Sequence, residues 1–420
     1  MKKISPWAWV PTLYFAQGLP YVAVMTVSLI MYKRMGISNA EIAFYTGWLN
    51  LPWVIKPLWS PFIDLLKTKR WWIISMQLLI GAGLAGIAFT IPTSYFFQLT
   101  LAFFWLMAFS SATHDIAADG FYMLALDKRQ QALFVGIRST FYRIATIAGQ
   151  GLLIMLAGYL ESSTGNIPYA WSITFFVLAG LFIGTWCYHK FFLPHPDTDA
   201  PSTQVSASNL WNEFWQTFVT FFQKKEAKVG ILFMLLYRLP EAQLAKMSIP
   251  FLIDPISEGG LGLTTEQIGF VQGTVGIIGL TLGGILGGIA VSRHGLRRWI
   301  WPMVCAISIP DLVYVYLSYV QPTSLSLINV CVFIEQFGYG FGFTAYMLYL
   351  IQFADGEHKT AHYAICTAFM ALGMMIPGMA AGWLQEAMGY QGFFIWIMVC
   401  TLATFGVTAL LKIDPQFGKK

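Results

Sequence analysis

Residues 268–291 read IGFVQGTVGIIGLTLGGILGGIAV and contain no charged side chain. This run of 24 uncharged residues is longer than the roughly 20 that a helix needs to cross a lipid bilayer. Its glycines recur mainly at intervals of three and four residues, which gives a helix small faces that let a neighbouring helix approach closely. The stretch therefore predicts a membrane helix packed tightly against another one.

The composition of the whole chain agrees with that prediction. Of the 420 residues, 57% are hydrophobic and only 11% are charged. Soluble domains carry roughly 45–50% apolar and about 25% charged residues, so too few charges are present to cover a soluble surface. These values exclude a soluble enzyme, a disordered chain and a secreted disulfide scaffold. The short basic clusters between apolar runs also do not form the continuous basic surface that nucleic-acid binding requires, so no nucleic-acid partner is expected.

Twelve apolar stretches are candidates for membrane spans. We number them span one to span twelve in chain order: residues 7–32, 39–62, 72–91, 97–124, 133–160, 168–192, 228–253, 264–291, 298–320, 325–353, 360–387 and 391–412. The predicted fold is an all-α polytopic membrane protein, in which twelve transmembrane helices form two pseudo-symmetric six-helix bundles. The predicted domains are an N-terminal bundle at 1–192, a cytoplasmic linker at 193–227 and a C-terminal bundle at 228–420.

The distribution of Lys and Arg predicts how the chain is oriented in the membrane. If both termini are cytoplasmic, nineteen of the 25 basic residues fall in inner segments and two fall in outer loops. This is the excess of inner positive charge that sets membrane topology. Within the linker, large apolar residues from Leu210 to Phe222 recur at helical spacing, which predicts an amphipathic helix on the membrane surface. A plain tether between the bundles is the alternative.

Two acidic residues in span four, Asp115 and Asp119, are four positions apart and therefore share a helix face. Ionisable groups are costly inside a membrane and are candidates for function. Two close carboxylates should titrate as a coupled pair and could carry a proton. The alternative is a structural ion pair with Arg143 of span five. His114 points about 100° away from Asp115, as successive residues do on a helix, and is better explained by helix packing.

Span seven contains a second charged pair beside a proline. Arg238 and Glu241 are three residues apart, and Pro240 should interrupt the helix there. A charged pair at a broken helix is typical of a binding or coupling site, and a buried pair that fixes helix packing is the alternative. Further polar candidates lie in other spans: Gln17, Tyr21, Asn50, Lys56, Lys246, Asp311 and Glu335.

Sequence patterns of enzymes and cofactor sites are missing from the chain. It has no GxxxxGK[ST] phosphate loop, no HExxH and no GxSxG. The six histidines and five cysteines do not cluster as metal ligands. We therefore expect no enzymatic activity, no metal and no cofactor, and a proton gradient would be the source of energy.

Three motifs carry a resemblance to a known family. Residues 56–64, KPLWSPFID, residues 114–120, HDIAADG, and residues 17–20, QGLP, resemble the major facilitator superfamily in the form found in AmpG-type muropeptide permeases and acetyl-coenzyme A transporters. The resemblance implies a proton-driven carrier that alternates access by rocking two bundles. It also implies cytoplasmic gate residues, which would be Asp64 and Arg70 in the first half and Arg293 and Arg297 in the second.

The sequence and this resemblance together predict a proton-coupled importer of an anionic amino-sugar compound, such as a muropeptide-type disaccharide. The expected location is the inner membrane of a bacterium, with one copy of the chain as the working unit. The predicted proton-coupling residues are Asp115, Asp119 and Glu241. The predicted substrate-binding residues are Lys56, Arg143, Arg238, Glu335, Gln17 and Tyr21.

Two other functions stay open at this point. A porter for another acidic or sulfated sugar, or for a coenzyme A ester, would use the same kind of residues. A non-transporting membrane sensor or scaffold would not need buried acids and basic residues in both halves.

Overall fold

Helices form the regular structure of the described part of the chain, which contains no strand. The computed structural model describes residues 4–60, 63, 66–197, 199, 207–356, 359–415 and 417. Short polar side chains begin several of the helices by binding free backbone N–H groups. Thr68 accepts a hydrogen bond from the backbone of Trp71 at the start of span three, and Asp127 and Thr264 form capping boxes with Gln130 and Gln267.

Nine helices within the described residues are long and apolar enough to cross a membrane. Their bounds are Pro6–Arg34, Lys69–Thr90, Phe96–Ala125, Ile137–Thr164, Ile167–Phe192, Thr265–His294, Leu296–Val320, Leu325–Ala354 and His362–Ala409. Spans one, five and eight include π-helical turns, at Ala23–Val27, Ala148–Leu153 and Val271–Gly276. These turns disturb the regular hydrogen-bond ladder, and such turns are frequent at functional sites.

The other predicted spans are present as interrupted or joined helices. Span two begins as Asn39–Trp48 and continues as Leu51–Ile55, and span seven consists of Ala227–Leu236 and Leu239–Ile253. The interruption in span seven directly precedes Pro240, which stands in the first turn of the new helix. Spans eleven and twelve run together over Lys359–Ala409 with a kink at Gly389, whose φ is 67°. The all-α membrane fold is confirmed, and the helices are consistent with twelve crossings.

The chain divides into two compact units. Unit 1 comprises residues 1–36 and 55–210, and unit 2 comprises residues 37–54 and 211–420. The first half of span two thus belongs to unit 2, although its neighbours along the chain belong to unit 1. In unit 2, Gly382 lies so close to this segment that an added Cβ would be 2.2 Å from the Asn39 carbonyl oxygen.

Each unit has its own apolar core. In unit 1, Trp9, Leu13 and Phe121 are fully buried together. In unit 2, the Phe233 ring stacks on Tyr346 with centroids 5.5 Å apart, and the Tyr237 ring also stacks on Tyr346, at 5.3 Å. Aromatic rings fill large volumes with little loss of side-chain entropy, and stacked pairs add a modest attraction beyond burial.

The glycines of span eight form the close contact that the sequence predicts. A Cβ placed on Gly283 would lie 2.1 Å from the backbone oxygen of Phe337 in span ten, and one placed on Gly340 would lie 2.1 Å from the oxygen of Leu280. The two backbones therefore touch where neither residue has a side chain. Gly288, one helical turn further along, has open space around it.

The linker contains a helix at Ala207–Phe222. The Phe221 ring is fully buried in unit 2 and lies 5.4 Å from Phe353 and 6.0 Å from Phe369. Trp215, Val219 and Phe222 are exposed. The end of the helix is therefore anchored to unit 2, and contact of its exposed residues with a membrane surface stays a prediction.

Candidate functional site

Unit 1 contains a polar cavity of about 210 Å³ between spans one and five. It is lined by Tyr14, Gln17, Arg138, Ser139, Tyr142 and Arg143. Two of these residues, Gln17 and Arg143, are predicted substrate-binding residues. Gln17 is buried, and its side-chain oxygen accepts no hydrogen bond within the protein. Two guanidinium groups and an unused amide oxygen thus face a space large enough for a charged chemical group.

Asp119 reaches this cavity through an ion pair with Arg138. The two side chains meet at 3.0 Å, and the Tyr14 hydroxyl donates a second hydrogen bond to the same Asp119 oxygen, also at 3.0 Å. The Arg138 guanidinium lies over the Tyr14 ring at 4.5 Å and over the Tyr122 ring at 5.2 Å. Arginine is suited to this arrangement because its flat cation both stacks on aromatic rings and presents paired donors to a carboxylate.

The ion pair of Asp119 does not involve the arginine named in the structural alternative for the acidic pair. The structural alternative for the acidic pair was an ion pair with Arg143. Asp119 is instead paired with Arg138, which lies on span five, five residues before Arg143. Arg143 is exposed and lines the cavity. Asp115 is half-buried and close enough to Tyr142 for an electrostatic interaction, as is Tyr21. The structure therefore brings the predicted residues of spans one, four and five to one region of unit 1.

His114 belongs to a buried polar chain beside this region. Its ring nitrogen lies 3.0 Å from the Gln77 amide, and the Gln77 oxygen lies 3.0 Å from a ring nitrogen of His189. The other ring nitrogen of His189 lies 2.9 Å from the Thr12 hydroxyl. The chain links spans four, three, six and one, which fits the packing role that the sequence favours for His114.

Unit 2 brings three buried carboxyl groups together. Glu241 of span seven, Asp311 of span nine and Glu335 of span ten place carboxylate oxygens within 4.8 Å of one another. All three residues are at most 5% exposed. Both oxygens of Glu335 accept hydrogen bonds from the Gln336 amide, at 3.3 and 3.0 Å, whereas Oε2 of Glu241 and Oδ2 of Asp311 accept none. We call these three residues the carboxylate triad.

Arg238 supplies positive charge beside the triad and interacts electrostatically with Glu241. Its guanidinium donates to the Tyr339 hydroxyl and lies 4.7 Å from the Phe343 ring centre. Its Nε has no hydrogen-bond partner although it is buried. Lys246, the other basic residue of span seven, donates instead to the Thr46 hydroxyl at 2.8 Å.

A buried polar cluster attaches the start of span two to the rest of unit 2. The Asn39 amide donates to Gln385 at 2.7 Å, to the Tyr390 hydroxyl at 3.0 Å and to Asp254 at 3.4 Å. Tyr390 also donates to Asp254 at 2.5 Å. Hydrogen bonds of this kind hold membrane helices together because lipid offers no competing partners.

The predicted gate residues lie at helix ends, except that Asp64 falls outside the described residues. Arg70 donates to the backbone oxygens of Lys190 and Leu193 at the end of span six, at 2.6 and 3.3 Å. Arg293 and Arg297 are exposed on either side of Gly295, which ends span eight. Lys56 is half-buried in the short 3-10 turn Lys56–Leu58.

A sequence profile of the BT1 family matches residues 15–414. The chain belongs to the BT1 family. This membership, with the relatives described next, confirms the predicted resemblance to the major facilitator superfamily, of which these transporters have the fold.

Relatives of this BT1 family member are named as transporters and permeases. The chain is 26% identical over 414 residues to a putative transporter AmpG 4 of Rickettsia conorii, with 95% of each chain covered. It is 26% identical over 397 residues to the anhydromuropeptide permease of Escherichia coli K12, covering 91% of this chain and 75% of the permease. The protein is therefore a multi-pass membrane transporter of small solutes and not an enzyme.

Solved structures of similar fold are transporters too. A nucleoside transporter, NupG, is 15% identical with a TM-score of 0.71, covering 96% of this chain and 98% of the other. A D-xylose-proton symporter is 13% identical with a TM-score of 0.72, covering 98% of both chains. At this low identity, the comparison with solved structures shows that the BT1 family member shares their fold.

The main residue that the sequence reasoning did not single out is Arg138. It is one of the nineteen basic residues counted on the inner side, and no role in binding was predicted for it from the sequence. Its distance of five residues from Arg143 was the available signal, since it places both cations on span five. Tyr14 was also missed, because a tyrosine among apolar residues is usually part of a core.

Proposed function

We propose that this transporter is a proton-coupled importer of an anionic amino-sugar compound, such as a muropeptide-type disaccharide. The energy would come from a proton gradient across the inner membrane of a bacterium, with both termini in the cytoplasm. The observation that carries the proposal is the Asp119–Arg138 ion pair at the edge of the cavity in unit 1. The name of the Escherichia coli relative supports the class of solute.

The ion pair suggests how a proton and an anion would be bound together. While Asp119 is ionised, it holds the Arg138 guanidinium. A proton on Asp119 removes that negative charge and leaves Arg138 to bind another carboxylate, which would belong to the solute. Arg143 and Gln17 then complete the binding of the acid group. Proton and anion would therefore enter the site as a pair, which is the requirement for symport.

The transport cycle would follow from different affinities on the two sides of the membrane. Protonation stabilises one conformation more than the other and so shifts the population of states. Asp115 and Glu241 would contribute further protonation sites. Arg238, Lys56, Glu335 and Tyr21 would contact the solute from their own helices. Asp64, Arg70, Arg293 and Arg297 would close the cytoplasmic side through rocking of the two bundles.

Uptake into proteoliposomes tests the proposal. Labelled anhydromuropeptide should accumulate when a proton gradient is applied, and a neutral monosaccharide should not. Asp119→Asn should abolish accumulation and keep exchange of labelled for unlabelled solute, since an uncharged side chain leaves Arg138 permanently able to bind the anion. Glu258→Gln, an exposed acid in unit 2, is the control and should behave as wild type.

Other results would contradict parts of the proposal. Accumulation that is unchanged in Asp119→Asn removes the proton role of this residue. Exchange of a sulfated sugar or a coenzyme A ester, with none of a muropeptide, keeps the carrier and changes the solute.

A further inference from the structure

We propose that the carboxylate triad of unit 2 is a binding site for Na⁺. The three oxygens come from three different spans and meet inside the unit, each on a residue that is at most 5% exposed. The inference goes beyond the proposed function, which assigns no metal ion to the transporter. It concerns unit 2 alone.

The charges of the described residues around the triad do not balance. Arg238 is the basic side chain that interacts with Glu241, whereas Lys246 is bound to Thr46. Three ionised carboxylates beside one guanidinium leave an excess of two negative charges. Buried charges without compensation cost several kcal/mol each. One bound Na⁺ together with one proton would balance the charges of this cluster.

Two oxygens of the triad are available to bind a metal ion. Oε2 of Glu241 and Oδ2 of Asp311 are buried and have no hydrogen-bond partner. A cation between the oxygens uses their lone pairs directly.

Tyr314 provides an independent indication that something polar is bound there. Tyr314 is 1% exposed, its hydroxyl is buried without a well-formed hydrogen bond, and its side chain interacts electrostatically with all three carboxylates. Gln272 lies beside it, on the π-helical turn of span eight. A neutral hydroxyl in the neighbourhood of three acids can serve as a fourth oxygen ligand.

The size and the helix geometry also suit Na⁺. Its radius is close to that of Ca²⁺, which takes oxygen ligands at about 2.3–2.6 Å, so one ion can bridge oxygens up to 4.8 Å apart. Glu241 and Asp311 both stand next to helix interruptions, at residues 237–238 and at the 3-10 turn Ile309–Asp311. Interrupted membrane helices are where transporters commonly bind Na⁺ and protons, because freed carbonyl groups add ligands.

Thermal unfolding of the purified full-length protein tests the site without any sugar. Melting is compared in NaCl, KCl and choline chloride at equal concentration and at one mildly alkaline pH, with EDTA present to remove divalent ions. A ligand that binds only the folded state raises its stability. We expect NaCl to raise the melting temperature by about 2–4 °C relative to both other salts.

Three variants test whether the stabilisation by NaCl comes from the carboxylate triad. Asp311→Asn should lose the response to NaCl, and Tyr314→Phe, which keeps all three acids, should weaken it. Glu258→Gln, an exposed acid of the same unit, should keep it in full. If Asp311→Asn does not fold, Tyr314→Phe alone decides the question.

Two results would overturn the inference. Equal melting temperatures of the wild type in the three salts would show that no Na⁺ binds, and an undiminished NaCl response in Asp311→Asn or Tyr314→Phe would place the ion elsewhere. Neither result depends on sugar uptake. The sodium site can therefore fail while the proposed carrier function stands, and the reverse is also possible.

Discussion

At the scale of single residues, Arg138 has two roles. It forms an ion pair with Asp119, and its guanidinium stacks on the Tyr14 ring. We predict that Arg138→Lys weakens binding of the anionic solute about 10-fold, since lysine keeps the charge and loses the paired donors and the stacking on Tyr14. The measurement is the concentration dependence of exchange in proteoliposomes.

The same substitution at an exposed arginine is the control for that prediction. Arg298→Lys should leave the affinity unchanged. Affinity equal to wild type in Arg138→Lys would mean that Arg138 only supports helix packing.

The buried chain from His114 to Thr12 gives a second prediction at this scale. Gln77→Leu should lower the free energy of unfolding by about 1–3 kcal/mol, because it leaves ring nitrogens of two buried histidines without a partner. Thermal melting measures the loss. His195→Ala, at an exposed histidine, should have no such effect. A Gln77→Leu protein as stable as wild type would argue that water takes the place of the amide.

At the scale of helices, the close contact of spans eight and ten depends on glycines at positions that have no room for a side chain. Gly283→Ala should destabilise the protein by about 1–3 kcal/mol because the new Cβ would overlap the Phe337 carbonyl. Gly288→Ala, where nothing lies within 4 Å, should be neutral or slightly stabilising, since alanine favours a helix. Thermal melting of the two variants side by side checks the prediction, and equal melting temperatures would contradict it.

The sequence was most informative about individual helices and their interruptions. Length and apolarity predicted the membrane helices, and Pro240 predicted the interruption of span seven at the adjacent residues. Glycine spacing in residues 268–291 predicted a close helix contact. Such features depend on neighbours along the chain, which is why they can be read without a structure.

Contacts between distant helices were less predictable. Asp311 stood alone in the sequence, and its proximity to Glu241 and Glu335 arises from the packing of three spans. Asp119 was recognised as a candidate, and an ion pair of the acidic pair with Arg143 was the structural alternative, whereas Asp119 is paired with Arg138. Both arginines lie on span five, and the rotation and the axial position of that helix decide which one meets the acid.

At the scale of the whole molecule, the first half of span two belongs to unit 2 while the residues on both sides of it belong to unit 1. If the two bundles rock as proposed, this segment parts from unit 2 in each cycle. A Cβ at position 47 would be 3.4 Å from the Met379 Cβ, which suits a disulfide. We predict that the double variant Gly47→Cys/Met379→Cys loses transport on oxidation and recovers it on reduction.

The two single-cysteine variants are the controls for this cross-link. Each should transport equally well under oxidising and reducing conditions. An oxidised double variant that forms the disulfide and still transports at the reduced rate would show that the segment stays in unit 2 throughout the cycle.

The Asn39 cluster also has a consequence for biosynthesis. The partners of Asn39 in unit 2 include Gln385, which lies 346 residues further along the chain. The ribosome makes span two early and the last of these partners near the end. The hydrogen bonds from Asn39 to these late partners can therefore form only after most of the chain has been translated. The packing of the start of span two against unit 2 can therefore be completed only after the final helices have been made.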